Sequence, residues 1–555
     1  MSPAFAHYNI STTLWCISKL FRVNNWNGRN SNFCRKLVGA EMFKRYKDNK
    51  AIKKEKERLN TDRQLTTSLG ENTEMFRTVL RNDHTIVYRE IENMHVAGFH
   101  ACLIYIEGMV STDITNKNII SPIMNTELML QQKDCDILDK LKSKVICTNK
   151  ISKTGNTDEL FLALFYGDAV LLVEGSDEAL VINCKSWPER PLEEPDMEKI
   201  LRGPKEGFSE SIMVNLSLLR RKLKTPDLKF QFRDIGVRSR TRVCICYIDT
   251  LVNGKILLEL ESRLDKIDID SIISSNYIEE LIRDCPLSPF KTIGNTERPD
   301  VVAAKLLEGR IAVFVDGTPT VLTLPFVFME YFQVAEDYYD NFYFSSINRI
   351  LRCLGEFFTS SIPAIYIALI TYHQEMIPTP LLLSIIAARQ GVPFPTVIEA
   401  IILLFIFEII REASIRMPTP MGQSVSIVGA LVLGQAAIEA RMFSAPMVII
   451  VAATGITGLL TLKLKGASIV IRLALMLLAS FMGLYGYIFG VIGALIFLFS
   501  MRSFGAPYML EYGSVNPVDL KDTFIRAPWW YMNFRPKQIA AKNVIRQGIP
   551  KTKVK

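Results

Sequence analysis

The chain has 555 residues, 49% of them hydrophobic, and a net charge of +8 at neutral pH. That length is ample for several domains. The positive charge gathers in an N-terminal arm containing Lys53-Lys54-Glu55-Lys56-Glu57-Arg58 and in a tail from Lys537 to Lys555, which speaks against a nucleic-acid partner. Its ten cysteines are scattered with no C-x-x-C pair, which excludes a cysteine metal cluster and fits a reduced compartment better than a disulfide framework.

In chain order, residues 1–70 read as a basic, solvated arm. Its short apolar stretch, 11–23, contains Ser, Cys, Lys and Arg and does not resemble a cleavable leader. Residues 71–187 and 217–335 then read as two copies of one α/β subdomain. CLIYIEGMV at 102–110 matches CICYIDTLV at 244–252, so that Tyr105 meets Tyr247 at an offset of 142 residues. The segment from Gly167 to Ser176 matches the one from Gly309 to Thr318 at that same offset, and two matches sharing one spacing indicate a duplication. The runs 101–106, 168–174, 241–248 and 310–315 are nearly continuous in apolar residues, as strands buried on both faces should be. Residues 158–165 and 300–307 read as helices between them, with turns at Glu174-Gly175-Ser176 and Asp316-Gly317-Thr318. Cys244 and Cys246 point the same way in one strand and read as small core residues.

The connector, 188–216, includes Arg202-Gly203-Pro204-Lys205-Glu206-Gly207. It reads either as an ordered, solvated link or as a contact surface for a neighbouring subunit, and composition favours the link. No phosphate-binding loop, dinucleotide fingerprint, nucleophile elbow or H-E-x-x-H motif occurs. Of five histidines only His95 and His100 are close in this half, so neither an enzyme nor a cofactor or metal site is expected.

Residues 336–510 change solvent. A spanning helix needs about 20 mostly apolar residues, and candidates are 351–371, 396–411, 423–440, 446–462, 468–484 and 485–501. The last two are divided at Gly483-Leu484-Tyr485-Gly486, so six spans are expected, or five if that break is continuous. The expected fold class is an α/β cytoplasmic head of two tandem duplicated subdomains, followed by an all-α polytopic transmembrane domain and a basic cytoplasmic tail at 511–555. Arg349, Arg352, Arg411, Arg416, Lys463, Lys465 and Arg502 alternate with loops poorer in charge, which carry Arg389 and Arg441; both termini therefore read as cytoplasmic. The short apolar pieces 381–388 and 320–333 cannot span and read as interfacial or re-entrant.

Ionisable groups within such segments need a reason. Glu408, Arg411, Glu412 and Arg416 read as an ion-pair cluster at the membrane edge, and Glu399 lies on or beside the same span. Ser424, Gln435 and Glu439 share one helical face, whereas Ser426, Ala430 and Gly434 form a small-residue stripe suited to helix contact. The polar face reads as lining a hydrated path or as interhelical hydrogen bonding.

Several long motifs, in order, carry a resemblance: Arg202 to Glu210, Glu297-Arg298-Pro299-Asp300 to Arg310, Asp316-Gly317-Thr318-Pro319, Tyr372-His373 with Ile377 to Pro380, Gly391 to Pro395, Arg411-Glu412-Ala413, and Gly422-Gln423 through Gly434-Gln435. Across roughly residues 75–535 the chain resembles the A subunit of GerA-type spore germination receptors. It departs in its long basic arm and in Thr250, which stands where the first copy has Gly108. The resemblance implies residence in the inner spore membrane beside a permease-like B subunit and a lipoprotein C subunit. It also implies a homo-oligomeric, pentameric ring in the lipid bilayer, releasing monovalent cations when nutrient binds. Candidate pore or gate positions are Gln423, Gln435 and Glu439, with Ser360, Ser361 and Ile362 on the first span as competitors. The alternative is a non-conducting scaffold that couples receptor occupancy to other germination proteins.

Overall fold

The computed structural model describes residues 64–126, 137–186, 198–416, 434–509 and 522–546, apart from isolated positions within those ranges. The N-terminal arm before Gln64, Gln423 with Ser424, Ser426 and Ala430, and most of the tail beyond Met509 lie outside the described residues. Leu65–Gly155 and Glu159–Lys555 form one compact unit; in the other, Gln64 pairs with Asn156 through an antiparallel bridge.

The duplication is structural. The first module contains α1 (Leu69–Val79), β1 (Ile86–Glu92), β2 (His100–Ile106), β3 (Ile151–Thr154), α2 (Thr157–Phe165), β4 (Ala169–Val173) and β5 (Ala179–Ile182). The second contains α3 (Ile212–Lys222), β6 (Leu228–Ile235), β7 (Thr241–Ile248), α4 (Gly254–Asp265), α5 (Ser275–Ile282), β8 (Gly294–Thr296), α6 (Pro299–Leu307), β9 (Ile311–Val315) and β10 (Val321–Leu324). Their five-stranded sheets have the same order, β1-β2-β4-β5-β3 and β6-β7-β9-β10-β8, and every neighbouring pair is antiparallel. β4 and β9 are apolar and buried at every position because helices cover both faces. Ile311, Val313 and Val315 meet the α4 and α5 side, while Ala312 and Phe314 meet α3 and α6. Continuous burial, often a mark of parallel sheets, here belongs to antiparallel ones clothed on both sides.

Matching polar latches hold the two copies. Asn72 and Asn215 each accept and donate across the chain preceding their helix, through Thr66 and Ser209. Each predicted acidic turn satisfies a helix N-terminus: Glu174 accepts from the Leu69 N–H at 2.8 Å and Asp316 from the Ile212 N–H at 3.1 Å. The modules meet where the loop after α1 crosses β6. There Asp83 pairs with Arg220, and the His84 N–H donates to the Phe230 carbonyl at 3.0 Å.

The re-entrant reading of 320–333 is corrected. Val321–Leu324 is strand β10, paired with β8 and β9 inside the second sheet, and Phe328–Tyr331 is a 3-10 turn that carries the sheet onto the helical region. Its apolar residues serve a head core and an aromatic junction in which Phe326, Tyr331 and Phe332 meet Leu464, Leu498 and Tyr508.

The helical region holds α7 (Phe342–Thr371), α8 (Thr379–Arg389), α9 (Thr396–Arg416), α10 (Ala445–Gly458) and α11 (Lys465–Ser500). Among the described residues two helical stretches, Phe342–Thr371 and Ala445–Ser500, are long and apolar enough to cross a membrane. The second folds back on itself. Thr461 is non-helical in the 3-10 connection Leu459–Leu464, and Gly483 reverses α11 at φ 60°, ψ −138°. Gly490 therefore lies against Leu475 and Leu478, and Leu498 returns to the cluster holding Leu464 and Ala467. α9 has 21 residues but carries Glu399, Glu408, Arg411, Glu412 and Arg416, and the 11-residue α8 is too short to span.

Candidate functional site

The core of the helical region is apolar, with Ala364, Ile367 and Ala368 of α7 against Ala400, Met447, Val451 and Met476. Within that setting a few polar groups turn inward. Glu356 of α7 is buried and accepts from the Thr461 hydroxyl at 2.7 Å and the Ser468 hydroxyl at 2.6 Å. One turn on, the Thr359 and Thr457 hydroxyls lie 2.8 Å apart. The non-helical backbone at Thr461 is what lets the α10–α11 connection present its hydroxyl to α7.

α9 contributes two further anchors. Glu399, fully buried, accepts from both the N–H and the hydroxyl of Ser444, at 2.5 and 2.6 Å, and so fixes the start of α10. Glu408 pairs with Arg411 on its own helix and with Arg472 of α11 at 3.2 Å. Glu412 and Arg416 pair at 2.8 Å on the exposed side. The four-residue cluster expected from sequence is thus two separate pairs, and the inward one is completed by Arg472.

Of the candidate pore positions, Ser360 is half-buried and donates back to the Glu356 carbonyl at 3.0 Å, Ser361 is buried, and Ile362 is half-buried. Gln435 and Glu439 lie in helical residues 434–439, both exposed, with the Gln435 amide 3.3 Å from the Glu439 carboxylate. Gln435 and Glu439 thus pair with each other, Ser360 bonds back within α7, and Gln423 lies outside the described residues.

The connector residues fold onto their own chain. The Pro204 carbonyl accepts from buried Arg298 at 2.7 Å, Glu206 pairs with Lys222 at 2.6 Å, and Gly203, at φ 127°, packs against the Tyr339 ring. Arg202 is exposed beside Asp340, while Lys205 and Gly207 lie within the same segment. Just upstream, Glu198 accepts from Lys463 at 2.5 Å, tying the connector to the turn between α10 and α11. Burial opposes charge on Glu198, yet the Lys463 ammonium and the Thr296 hydroxyl outweigh it and hold the carboxyl below the usual range.

Glu356, Ser468 and Arg472 were not singled out in the sequence. The available signal was an ionisable group inside an apolar window, at Glu356 and again at Arg472. Among the described residues no group of three or more His, Cys, Asp or Glu side chains is placed to hold a metal.

Residues 74–538 match the family model described as Bacillus/Clostridium GerA spore germination protein. The chain is 39% identical over 486 residues to spore germination protein KA of Bacillus subtilis (strain 168), covering 87% of this chain and 89% of that protein. It is 39% identical over 480 residues to the membrane protein YfkQ of that organism, covering 86% and 92%. To spore germination protein A1, again of that organism, it is 33% identical over 437 residues, covering 78% and 89%. Among solved structures it is similar to the N-terminal domain of the A subunit of the Bacillus megaterium spore germinant receptor GerK3, at 36% identity and a TM-score of 0.40, covering 48% of this chain and 99% of that one.

Proposed function

We propose, from the premise that this chain belongs to the Bacillus/Clostridium GerA spore germination protein family, that it is the channel-forming A subunit of a nutrient germinant receptor. In this reading the helical region crosses the inner spore membrane several times, with the head and both termini cytoplasmic. The chain assembles as a homo-oligomeric ring, a pentamer, with a permease-like B subunit and a lipoprotein C subunit. It performs no covalent chemistry. Nutrient binding on a partner biases a closed-to-open equilibrium here, which requires the ligand to interact differently with the two states.

The observation that carries the conducting reading is Glu439 with Gln435, exposed together on a chain whose helical exterior is otherwise rich in Phe405, Ile449, Ile456, Phe481 and Ile496. Glu439 closes the helical residues 434–439 beside the turn that carries Arg441, so in this reading water or a partner stands in front of the pair, at the mouth of a path. Ser360 on α7 is the competing position.

The test is potassium flux in vesicles holding this chain and its two partner subunits, with and without nutrient. Nutrient-dependent flux, altered by Glu439→Ala in complexes that still assemble, supports a gate there. Unchanged flux in assembled Glu439→Ala complexes removes Glu439 from the pore. No flux from a complex that binds nutrient favours a non-conducting scaffold.

A further inference from the structure

Beyond the last apolar helix the chain returns to the beginning of the first. The Arg526 N–H donates to the Ser346 hydroxyl at 3.1 Å, and the buried Arg526 guanidinium reaches the carbonyls of Asp340 and Tyr338, each at 3.3 Å. From the other side Arg349 of α7 donates to the Asp522 carbonyl at 2.6 Å and to that of Thr523 at 3.0 Å. The segment is therefore strapped to the start of α7 by two arginines that donate across the contact, one from each side.

What this strap presents outward is Trp529, Trp530 and Tyr531, with relative exposures of 48, 66 and 54%. Trp530 meets Phe342 edge to face, with ring centroids 5.9 Å apart, at the first residue of α7. Arg546 lies over Trp529 at 5.5 Å. Tyr343 and Phe344 are exposed alongside, and the outer face continues through Ile347, Leu351, Leu354 and Phe357 without a polar break.

The length of α7 matches a bilayer. The 30 residues of α7 rise about 45 Å, close to the roughly 40–45 Å thickness of a bilayer including both headgroup layers. The far end of α7 also carries an aromatic: the Tyr372 hydroxyl donates to the Ser480 carbonyl at 2.9 Å beside the Gly483 reversal, where Tyr485 is exposed. Aromatic side chains with one polar edge mark both ends of one bilayer-length helix, the arrangement expected of residues seated at headgroup level.

We propose that Trp529, Trp530 and Tyr531 form an interfacial anchor, inserted into the phospholipid headgroup layer beside the start of α7 and setting that helix's depth. The anchor rests on the membrane reading of the helical region and adds to it a lipid contact made by a segment outside every apolar helix. Two strapping arginines hold the rings at fixed height, so a change of depth is transmitted to Arg349 and Arg352, whose partner Asp337 belongs to the head side of the junction.

The experiment uses the full chain with Trp15, Trp26 and Trp187 replaced by Phe, leaving Trp529 and Trp530 as the emitting residues. It is reconstituted in phosphatidylcholine and phosphatidylglycerol vesicles brominated either beside the headgroup or near the bilayer centre. Carbonate extraction is read first: a chain released by carbonate defeats the membrane reading and the anchor with it. In a carbonate-resistant chain the anchor requires stronger quenching by shallow than by deep bromine, and shallow quenching reduced by Trp530→Phe. Emission insensitive to both bromine positions in a carbonate-resistant chain overturns the anchor alone, whether water or a neighbouring subunit covers the rings. Quenching greatest for deep bromine also overturns it, by placing the rings in the hydrocarbon.

Discussion

Asp83 and Arg220 join the two modules through one ion pair whose side chains are each 1% exposed. Arg220 also lies over the Phe165 ring at 5.1 Å and the Phe230 ring at 4.7 Å, so that neither charge has water to fall back on. Replacing one partner leaves the other buried and uncompensated, at a cost of about 3–5 kcal/mol, whereas removing both is far milder. Asp83→Ala is expected to lower the thermal transition of the detergent-solubilised chain, followed by near-UV circular dichroism, and Arg220→Met added to it should restore most of the loss. A double variant as unstable as Asp83→Ala would mean that packing, not charge, joins the modules. Nothing in the sequence pointed to this pair, because Arg220 belongs to an Arg-Arg-Lys helix end that reads as a solvated face, and its partner arrives from the other copy.

At the scale of elements, the duplication was legible because burial on both faces constrains every position of β4 and β9, so their sequences kept register at one offset. Strand order and direction were not legible, since apolar runs carry no record of which neighbour they pair with. The piece 320–333 was misread for a related reason: β10 and the aromatic turn after it are apolar to serve the head's core and the junction, and apolarity alone does not distinguish protein from lipid. The break at Gly483–Gly486 was legible because Gly483 takes a positive φ and Gly486 a close approach. A Cβ on Gly486 would lie 2.1 Å from the Leu478 carbonyl oxygen, a backbone atom with no rotamer to yield, whereas one on Gly493 meets nothing within 4 Å. Gly486→Ala should therefore abolish recovery of monodisperse chain after detergent extraction and Gly493→Ala should leave it intact, as read by size-exclusion profiles. Equal recovery would show that the hairpin does not pack as closely as Gly486 requires.

For the whole molecule, one route between head and helices, beside the Glu198–Lys463 tie and the Asp337 pairs with Arg349 and Arg352, crosses the junction built on Arg310, Lys305 and Glu330. Glu330 pairs with Arg310 at 2.5 Å and with Lys305 at 2.7 Å, directly beneath the aromatic cluster that Tyr508 and Leu498 complete. Burial opposes the Glu330 charge, but the Arg310 guanidinium and then the Lys305 ammonium outweigh it and hold the carboxyl below its usual range. A carboxylate depressed in the folded state contributes stability above its unfolded pKa and loses that contribution as pH falls through the folded one. Acidification below the usual carboxylate range should therefore leave Arg310 and Lys305 buried without their counter-ion and loosen the head from the helices. The check is the thermal transition of the full chain in detergent at neutral and at acidic pH, beside Glu330→Gln. The variant should start lower at neutral pH and lose less on acidification, because the group that titrates at the junction is gone. Parallel losses in both proteins would place the acid sensitivity elsewhere and leave the junction held by its aromatic cluster.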